Sequence, residues 1–481
     1  VTSWQDRDGG PRVAVIGGGV SGLTAAYRLR GELGANASVV VCEAGDRLGG
    51  KIHTTTLAGK PFDVGPEAFL VRRPEAANLA TELGLSEQLV HPTGVRSLLR
   101  AGGVFAGLPA RMMMGIPAAA DAAVGVLSTA GAQRVAAEHR LAPVALGEAD
   151  RSLGGLLRER FGDELVERLV DPLLGGVYSG GADGLGVRAT MPALAEALDA
   201  GAGSVTAAAA RLLPANPSGA PVFGTFRAGL ATLPRRLATA SAAEVRTATT
   251  VRTVTRNDAG GWRLGLGAAC AEHSPGRATL DVDGVVIATP APAAARLLSE
   301  ASPAAAEAFG EIELASMGVV SLALPPGTEL PRASGTLLAA GERRVDGTPF
   351  AAKAFTFSAR KWDHHDAADA PVPVRGSVGR FGEPGALCYT DEELLRQVRT
   401  DLAEISGVTA EPVDTAVTRW GGGIPQYGVG HEQRVARIER ALAETPGIEA
   451  CGAALHGVGI PACVGTAEAA AGRLAGVLPS R

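Results

Sequence analysis

Residues 13–29 read VAVIGGGVSGLTAAYRL: apolar β-branched residues, three consecutive glycines, then a Ser-Gly pair running into an alanine- and leucine-rich helical pattern. So much glycine between a strand and a helix lets the backbone turn tightly and approach something bulky, and the helix that follows aims free N–H groups and its positive dipole end at that object. The spacing Gly17-x-Gly19-x-x-Gly22, filled by Gly18, Val20 and Ser21, is the dinucleotide fingerprint. It expects a second strand with an acid about 20 positions on, to hold a ribose hydroxyl. Glu43 closes the strand-like run Ser38–Glu43 and supplies that acid.

Length and composition bound the rest. A chain of 481 residues exceeds what one core usually serves, so two or three domains are expected. A net charge of −5 offers no general attraction to nucleic acid, and none is expected as a partner. The lysines are only Lys51, Lys60, Lys353 and Lys361, which leaves arginine as the main cation. Five scattered cysteines without a C-x-x-C pair argue against a zinc site or a disulfide reductase, so no metal is expected, and their odd number suits a reducing compartment. The polar opening VTSWQDRDGG shows no secretory h-region, and no apolar run of about 20 residues is present. A cytoplasmic location follows as the expectation.

Along the chain, the strand–helix–strand unit fills roughly the first 45 residues, and an extended stretch follows at Phe62–Val64. Leu98 to Leu213 reads as mostly helical, and Gly201 to Ala220 as a flexible connection. Strand patterns return at Thr249–Thr255 and Asp283–Pro290, the second as a further parallel strand of the nucleotide unit. Met317 to Arg380 reads as strands and loops, and Gly447 to Val477 as a short strand, a glycine turn and an alanine-rich helix. The nucleotide-binding unit is therefore assembled from separated pieces of chain.

The dinucleotide is specified just after Glu43. Arg47-Leu48-Gly49-Gly50 places an arginine and two glycines where a second loop can meet a pyrophosphate. Joined to the fingerprint at this distance, it resembles the FAD enzymes of the amine oxidase and porphyrinogen oxidase superfamily. Four further segments resemble the porphyrinogen oxidases: Phe62–Leu70, with Gly65-Pro66-Glu67-Ala68; Asp171–Gly180; Arg419-Trp420 with Ile424-Pro425-Gln426-Tyr427; and Gly452–Val464. The most similar group is the coproporphyrinogen III oxidase type of Gram-positive bacteria, near protoporphyrinogen IX oxidase.

The resemblance implies an α/β fold, with a Rossmann-like FAD-binding domain (1–70, 225–300, 410–481), a mixed-sheet substrate domain (71–97, 301–409) and a helical domain (98–224). It implies that Gly17 to Gly22 hold the pyrophosphate, Glu43 with Ala44 the adenosine ribose, and Arg47 with Gly50 the phosphate side. Gly65, Pro66, Glu67 and Ala68 would line the isoalloxazine, Val251 would contact the adenine by its backbone, and Trp420 would pack at the cofactor. Val458, Gly459 and Ile460 would offer N–H groups to the flavin pyrimidine edge. The chain departs from the family pattern at Ala454 or Leu455, where an aromatic is common, and at Ala462, where an acid is common. The implied reaction is six-electron oxidation of a porphyrinogen in haem biosynthesis, with dioxygen as acceptor and hydrogen peroxide as product, followed by handover to the next pathway enzyme. No catalytic acid or base is singled out.

A flat ring edged with carboxylates calls for cations at an apolar pocket's rim. Arg72 and Arg73 follow the flavin-lining segment, and Arg188 of the helical region is the reserve candidate. His456 reads as capping a turn, and His364-His365 as a surface loop. Met112-Met113-Met114 reads as core packing, with shallow peripheral membrane contact as the alternative. A flavin amine oxidase and a non-catalytic flavin-binding protein are the competing functions. Trp420-Gly421-Gly422-Gly423 and four tyrosines in all give the former little material for an aromatic cage.

Overall fold

The computed structural model describes residues 9–214, 219–267, 278–383 and 385–478. Strand Arg12–Ile16 pairs in parallel with Ser38–Cys42 on one side and Gly284–Ile287 on the other. Glu244–Arg246 and Ile448–Ala450 complete a five-stranded, all-parallel sheet. Side chains alternate across such a sheet, and parallel sheets are covered on both faces, which is why these strands read as unbroken apolar runs. Val13, Val15, Val39 and Val41 face helices Val20–Leu33 and Ile460–Val477, while Ala14, Ile16, Val40 and Cys42 face Trp262 and Leu264. The latter two belong to an antiparallel three-stranded sheet, Val251–Arg256, Trp262–Leu266 and Thr279–Val282. The fold is thus α/β with a Rossmann-type FAD-binding unit, its central sheet drawn from three distant stretches of chain.

A seven-stranded mixed sheet forms the second layer, in the order Asp414–Pro425, Leu314–Leu324, Val372–Val378, Ala352–Phe357, Gly335–Leu338, Leu98–Ala101, Val104–Gly107. Helix Asp391–Ser406 packs on it through Leu394, Val398 and Leu402, and opens with a Thr390/Glu393 capping box. The last two strands correct the helical reading of the segment from Leu98. Gly102 and Gly103 both take positive φ (61° and 76°), giving a two-residue turn that closes the Ala101/Val104 pair, a hairpin signal that the surrounding leucine and alanine obscured. Met112–Met113 and Ile116–Pro117 form a further small hairpin, and α-helix begins only at Thr129. The methionines pack against the helical core, in agreement with the packing reading. The expected connection 201–220 contains helix Val205–Leu212, capped by the Ser204 hydroxyl, while 215–218 lie outside the described residues.

Glu138, fully buried, ties this helical region together. Its carboxylate meets Arg160 at 2.7 Å and accepts the Val205 and Thr206 N–H groups at 2.9 and 3.3 Å, capping the helix that the composition concealed. Burial opposes its ionisation, but these donors outweigh it and hold its pKa below the ordinary carboxylate range. Breaking a buried pair leaves an uncompensated charge, so Glu138→Ala should lower the unfolding free energy at neutral pH by about 3–5 kcal/mol in denaturant melts. Because the folded-state pKa is depressed, this stability is present above the unfolded-state pKa and is lost as pH falls through the folded value, so the gap to wild type should narrow in acid. A loss under about 1 kcal/mol, the range of a surface pair, would contradict the assignment.

Candidate active site

The fingerprint turn and the Arg47–Gly50 loop meet backbone to backbone. Gly49 donates to the Gly18 carbonyl at 2.8 Å, and a Cβ on Gly50 would lie 3.1 Å from the Gly19 Cα. Gly17 takes φ +112°, and a Cβ on Gly22 would stand 1.9 Å from the Gly17 carbonyl oxygen, so only glycine lets the helix seat on the turn. At Gly19, by contrast, a Cβ would meet nothing nearer than the Gly50 Cα at 3.9 Å, so a side chain there would project into the cradle. The Glu43 carboxylate accepts the Gly18 and Gly45 N–H groups, each at 2.7 Å, with Ala44 exposed beside it. Its own N–H and C=O engage Arg246 and Thr249, which leads the chain to Val251 at the same rim. Arg47 donates to the Gly50 carbonyl at 2.8 Å and lies 5.8 Å from the centre of the Trp420 ring.

Two helix N-termini converge on this cradle. Val20–Leu33 and Ile460–Val477 each begin at a glycine, Gly19 and Gly459, without a side-chain cap and without an acid in the first turn. The two helices pack against one another, with the Ser21 hydroxyl facing the Cys463 thiol of the opposite opening turn. Uncapped N-termini with positive dipole ends are anion sites, so the donor set and the open glycine cradle fit the pyrophosphate and pyrimidine edge of FAD.

The segment Gly65, Pro66, Glu67, Ala68 is half-exposed between the buried Val64 and Phe69. It is pinned from three directions: a Cβ on Gly65 would lie 2.0 Å from the Lys51 carbonyl oxygen, Arg375 donates to the Gly65 carbonyl at 2.7 Å, and the Trp420 indole donates to Val64 at 2.9 Å. Glu67 bridges Lys361 and Arg375. Burial opposes its charge, yet the two cations hold its pKa below the usual range. This brace joins residues about 300 positions apart, and the sequence carried no local sign of it.

Tyr427 anchors the closing loop. Its hydroxyl donates to the Ala453 carbonyl at 2.7 Å and accepts the Gly457 N–H at 2.8 Å, while its ring stacks on His431 at 3.9 Å. Val458 and the exposed Gly459 are thereby presented ahead of the buried Ile460. Arg73 reaches this turn: its guanidinium would lie 4.0 Å from a Cβ on Gly457, while it pairs with Glu75 at 2.8 Å. Arg72 is exposed beside it. Arg188, the reserve candidate, is tied to Asp199 at 2.6 Å and to the Gly147 carbonyl, which commits it to the helical region. His456 pairs with Glu439 at 2.7 Å. His364 and His365 are half-buried rather than loop-exposed; their rings lie 4.2 Å apart, and burial pushes His365 down to about 4. No metal-binding cluster occurs among the described residues.

The glycine cradle, the paired helix N-termini and the pinned flavin-side segment define an FAD-dependent oxidoreductase. Residues 20–475 match the family described as flavin containing amine oxidoreductase. A Mycobacterium tuberculosis protein named coproporphyrinogen III oxidase is 40% identical over 453 residues, spanning 94% of this chain and 95% of its own length. A Bacillus subtilis protein of the same name is 31% identical over 477 residues, spanning 96% and 97%. The solved structure of an Exiguobacterium protein, named provisionally as a protoporphyrinogen oxidase, superposes with a TM-score of 0.83 at 30% identity over 97% of this chain and 98% of its own. Cyclohexylamine oxidase from Brevibacterium oxydans shares the fold, with a TM-score of 0.69 at 17% identity over 97% and 99% of the two chains. The chain belongs to the flavin-containing amine oxidoreductase family and uses FAD.

Gly19 lies in extended backbone (φ −75°, ψ 178°) that valine also adopts. Gly19→Val should therefore fold with a melting temperature near that of flavin-free wild type, yet purify colourless. Gly65→Val should instead lower the melting temperature itself, because its side chain runs into the Lys51 carbonyl. Absorbance for flavin content and thermal melts for folding separate the two; Gly19→Val holding a full complement of flavin would refute the cradle.

Proposed function

We propose that this protein oxidises coproporphyrinogen III to coproporphyrin III, three dioxygen molecules becoming three hydrogen peroxide. The observation that carries the reading is similarity along nearly the whole length to relatives of that name, together with a flavin site that, from Val20 onward, lies within the span matched by the family. Bound FAD would supply the redox chemistry, taking two electrons from carbon and passing them to dioxygen. The chain's own part is to bind, orient and stabilise charge. Gly17 to Gly22, Arg47 and Gly50 would hold the pyrophosphate, Glu43 the ribose, and the backbone near Val251 the adenine. The N-terminus of helix Ile460–Val477, with Val458 and Gly459 ahead of it, would favour negative charge at the pyrimidine edge. Gly65 to Ala68 and Trp420 would fix the ring system against the seven-stranded sheet. Hydride would leave a bridge carbon of the porphyrinogen while a pyrrole N–H loses its proton, so the reading assigns no side chain as acid or base.

Protoporphyrinogen IX is the second reading, favoured by the name of the Exiguobacterium neighbour. Among the described residues no helix is long and apolar enough to cross a membrane. Peripheral membrane contact and handover to the next haem-pathway enzyme belong to the proposal. Supplying the purified protein with each porphyrinogen in air and following porphyrin fluorescence tests it: kcat/KM should be higher for coproporphyrinogen III, and turnover of amines without either porphyrinogen would overturn it.

Arg73, beside Gly457, is proposed to pair with a substrate propionate. Losing a charge-assisted hydrogen bond of about 1.5–3 kcal/mol, Arg73→Ala should reduce kcat/KM roughly tenfold to a hundredfold through KM, with the flavin spectrum unchanged. Unaltered kinetics on both porphyrinogens would return Arg73 to a solvated ion pair with Glu75.

A further inference from the structure

Among the described residues the buried arginines are paired with carboxylates: Arg100 with Glu342, Arg160 with Glu138, and Arg344 with Asp401. Lys353, one of four lysines in the chain and 6% exposed, departs from that pattern. It sits in strand Ala352–Phe357, and among the described residues its ammonium donates only to the neutral Ser179 hydroxyl, at 2.6 Å. No described carboxylate lies within ion-pair distance of it. Arg380, following strand Val372–Val378, is next to it; its guanidinium donates to the Leu338 carbonyl at 3.1 Å and likewise makes no ion pair with a described residue. A buried cation without a counter-ion costs several kcal/mol, and the half-buried Arg380 beside it, whose own charge is partly offset by Glu383 and Asp171 from beyond ion-pair distance, adds to that cost for Lys353.

Both cations gather at the C-terminal end of helix Asp171–Tyr178. A Cβ on Gly175 would stand 3.5 Å from the Arg380 guanidinium, and Ser179, left-handed at φ 52°, is fixed by Phe381 donating to its carbonyl at 2.6 Å. Gln426, next to the anchoring Tyr427, donates to the Tyr178 carbonyl at 2.8 Å, so this corner is tied to the loop that carries Gly457 to Ile460. Gly176 and Val177, in the last turn of the same helix, are exposed.

We propose that Lys353, Arg380 and the Ser179 hydroxyl form a seat for one carboxylate of the substrate, where the helix ending at Tyr178 meets the seven-stranded sheet. The identity of that carboxylate as a porphyrinogen propionate rests on the function proposed above. Two cations and a hydroxyl match the two oxygens of a carboxylate, and the incoming anion supplies the charge that the fold leaves out. Burial first, and then Arg380, pushes Lys353 down to about 7. The other ionisable groups facing this corner are Asp171, whose carboxylate accepts the Ala182 N–H, Glu383 beyond Arg380, and the Tyr178 phenol, which burial pushes up to about 12.

The test is fluorescence titration of the FAD-loaded protein with coproporphyrin III and with its uncharged tetramethyl ester. Wild type should prefer the acid; Lys353→Met should lose about tenfold or more in affinity for the acid and none for the ester, and Lys353→Arg should restore most of it. Wild-type affinity for the acid should fall as pH rises through about 7, where Lys353 loses its proton, and Lys353→Met should be flat there. Since methionine removes a buried unpaired charge, the variant should melt no lower than wild type, which separates a binding role from a structural one. Unchanged acid affinity in Lys353→Met, or equal losses for acid and ester, would overturn the seat. Turnover of coproporphyrinogen III by wild type scores the proposed function separately: a protein with this binding pattern and no turnover would lose that reading and keep the carboxylate seat.

Discussion

Two glycine turns pressed against one another govern the architecture. The Gly49 N–H bonds the Gly18 carbonyl, and the Gly50 backbone comes so near Gly19 that a Cβ on Gly50 would lie 3.1 Å from the Gly19 Cα. This contact fixes where strand Ser38–Cys42 ends relative to the first helix, brings Arg47 under Trp420, and leaves the N–H groups of two helix ends aimed at a common space. A ligand bearing a diphosphate completes such an arrangement, since its charges take the place of the caps that neither helix has.

Everything that adds chemistry to this cradle arrives from far along the chain. Arg375 and Lys361 reach back to the Gly65–Glu67 segment, and Trp420 does so to Val64. Tyr427 plays the corresponding part on the other side, holding Gly457 so that the closing helix begins where the first helix does. The seven-stranded sheet is thus a platform that carries these braces to the cofactor side, and two of its inner strands, Ala352–Phe357 and Val372–Val378, bring Lys353 and Arg380 to the helix ending at Tyr178.

Much of this was legible in the sequence for a local reason. The fingerprint, Glu43 and the strand at Gly284–Ile287 are short-range patterns whose backbone consequences are nearly obligatory. Motif resemblance also singled out Gly65–Ala68, Trp420 and Val458–Ile460 as candidates. Hairpin Leu98–Gly107 was missed because its leucine and alanine content outweighed the Gly102-Gly103 turn, and helix Val205–Leu212 because low complexity masked the Ser204 cap. Side-chain commitments were out of reach. Arg188 and Arg73 look alike as text, yet Asp199 claims one and the other stands beside Gly457. Lys353 gave no signal at all, because its meaning lies in the carboxylate that the fold does not place near it.

The central claim, that this flavin site oxidises a tetracarboxylate porphyrinogen, is tested most directly without oxygen. Mixing the FAD-loaded protein anaerobically with coproporphyrinogen III should bleach the flavin absorbance, and admitting air should restore it as porphyrin fluorescence grows. Flavin that stays oxidised in the presence of coproporphyrinogen III but is bleached by a primary amine would contradict the account.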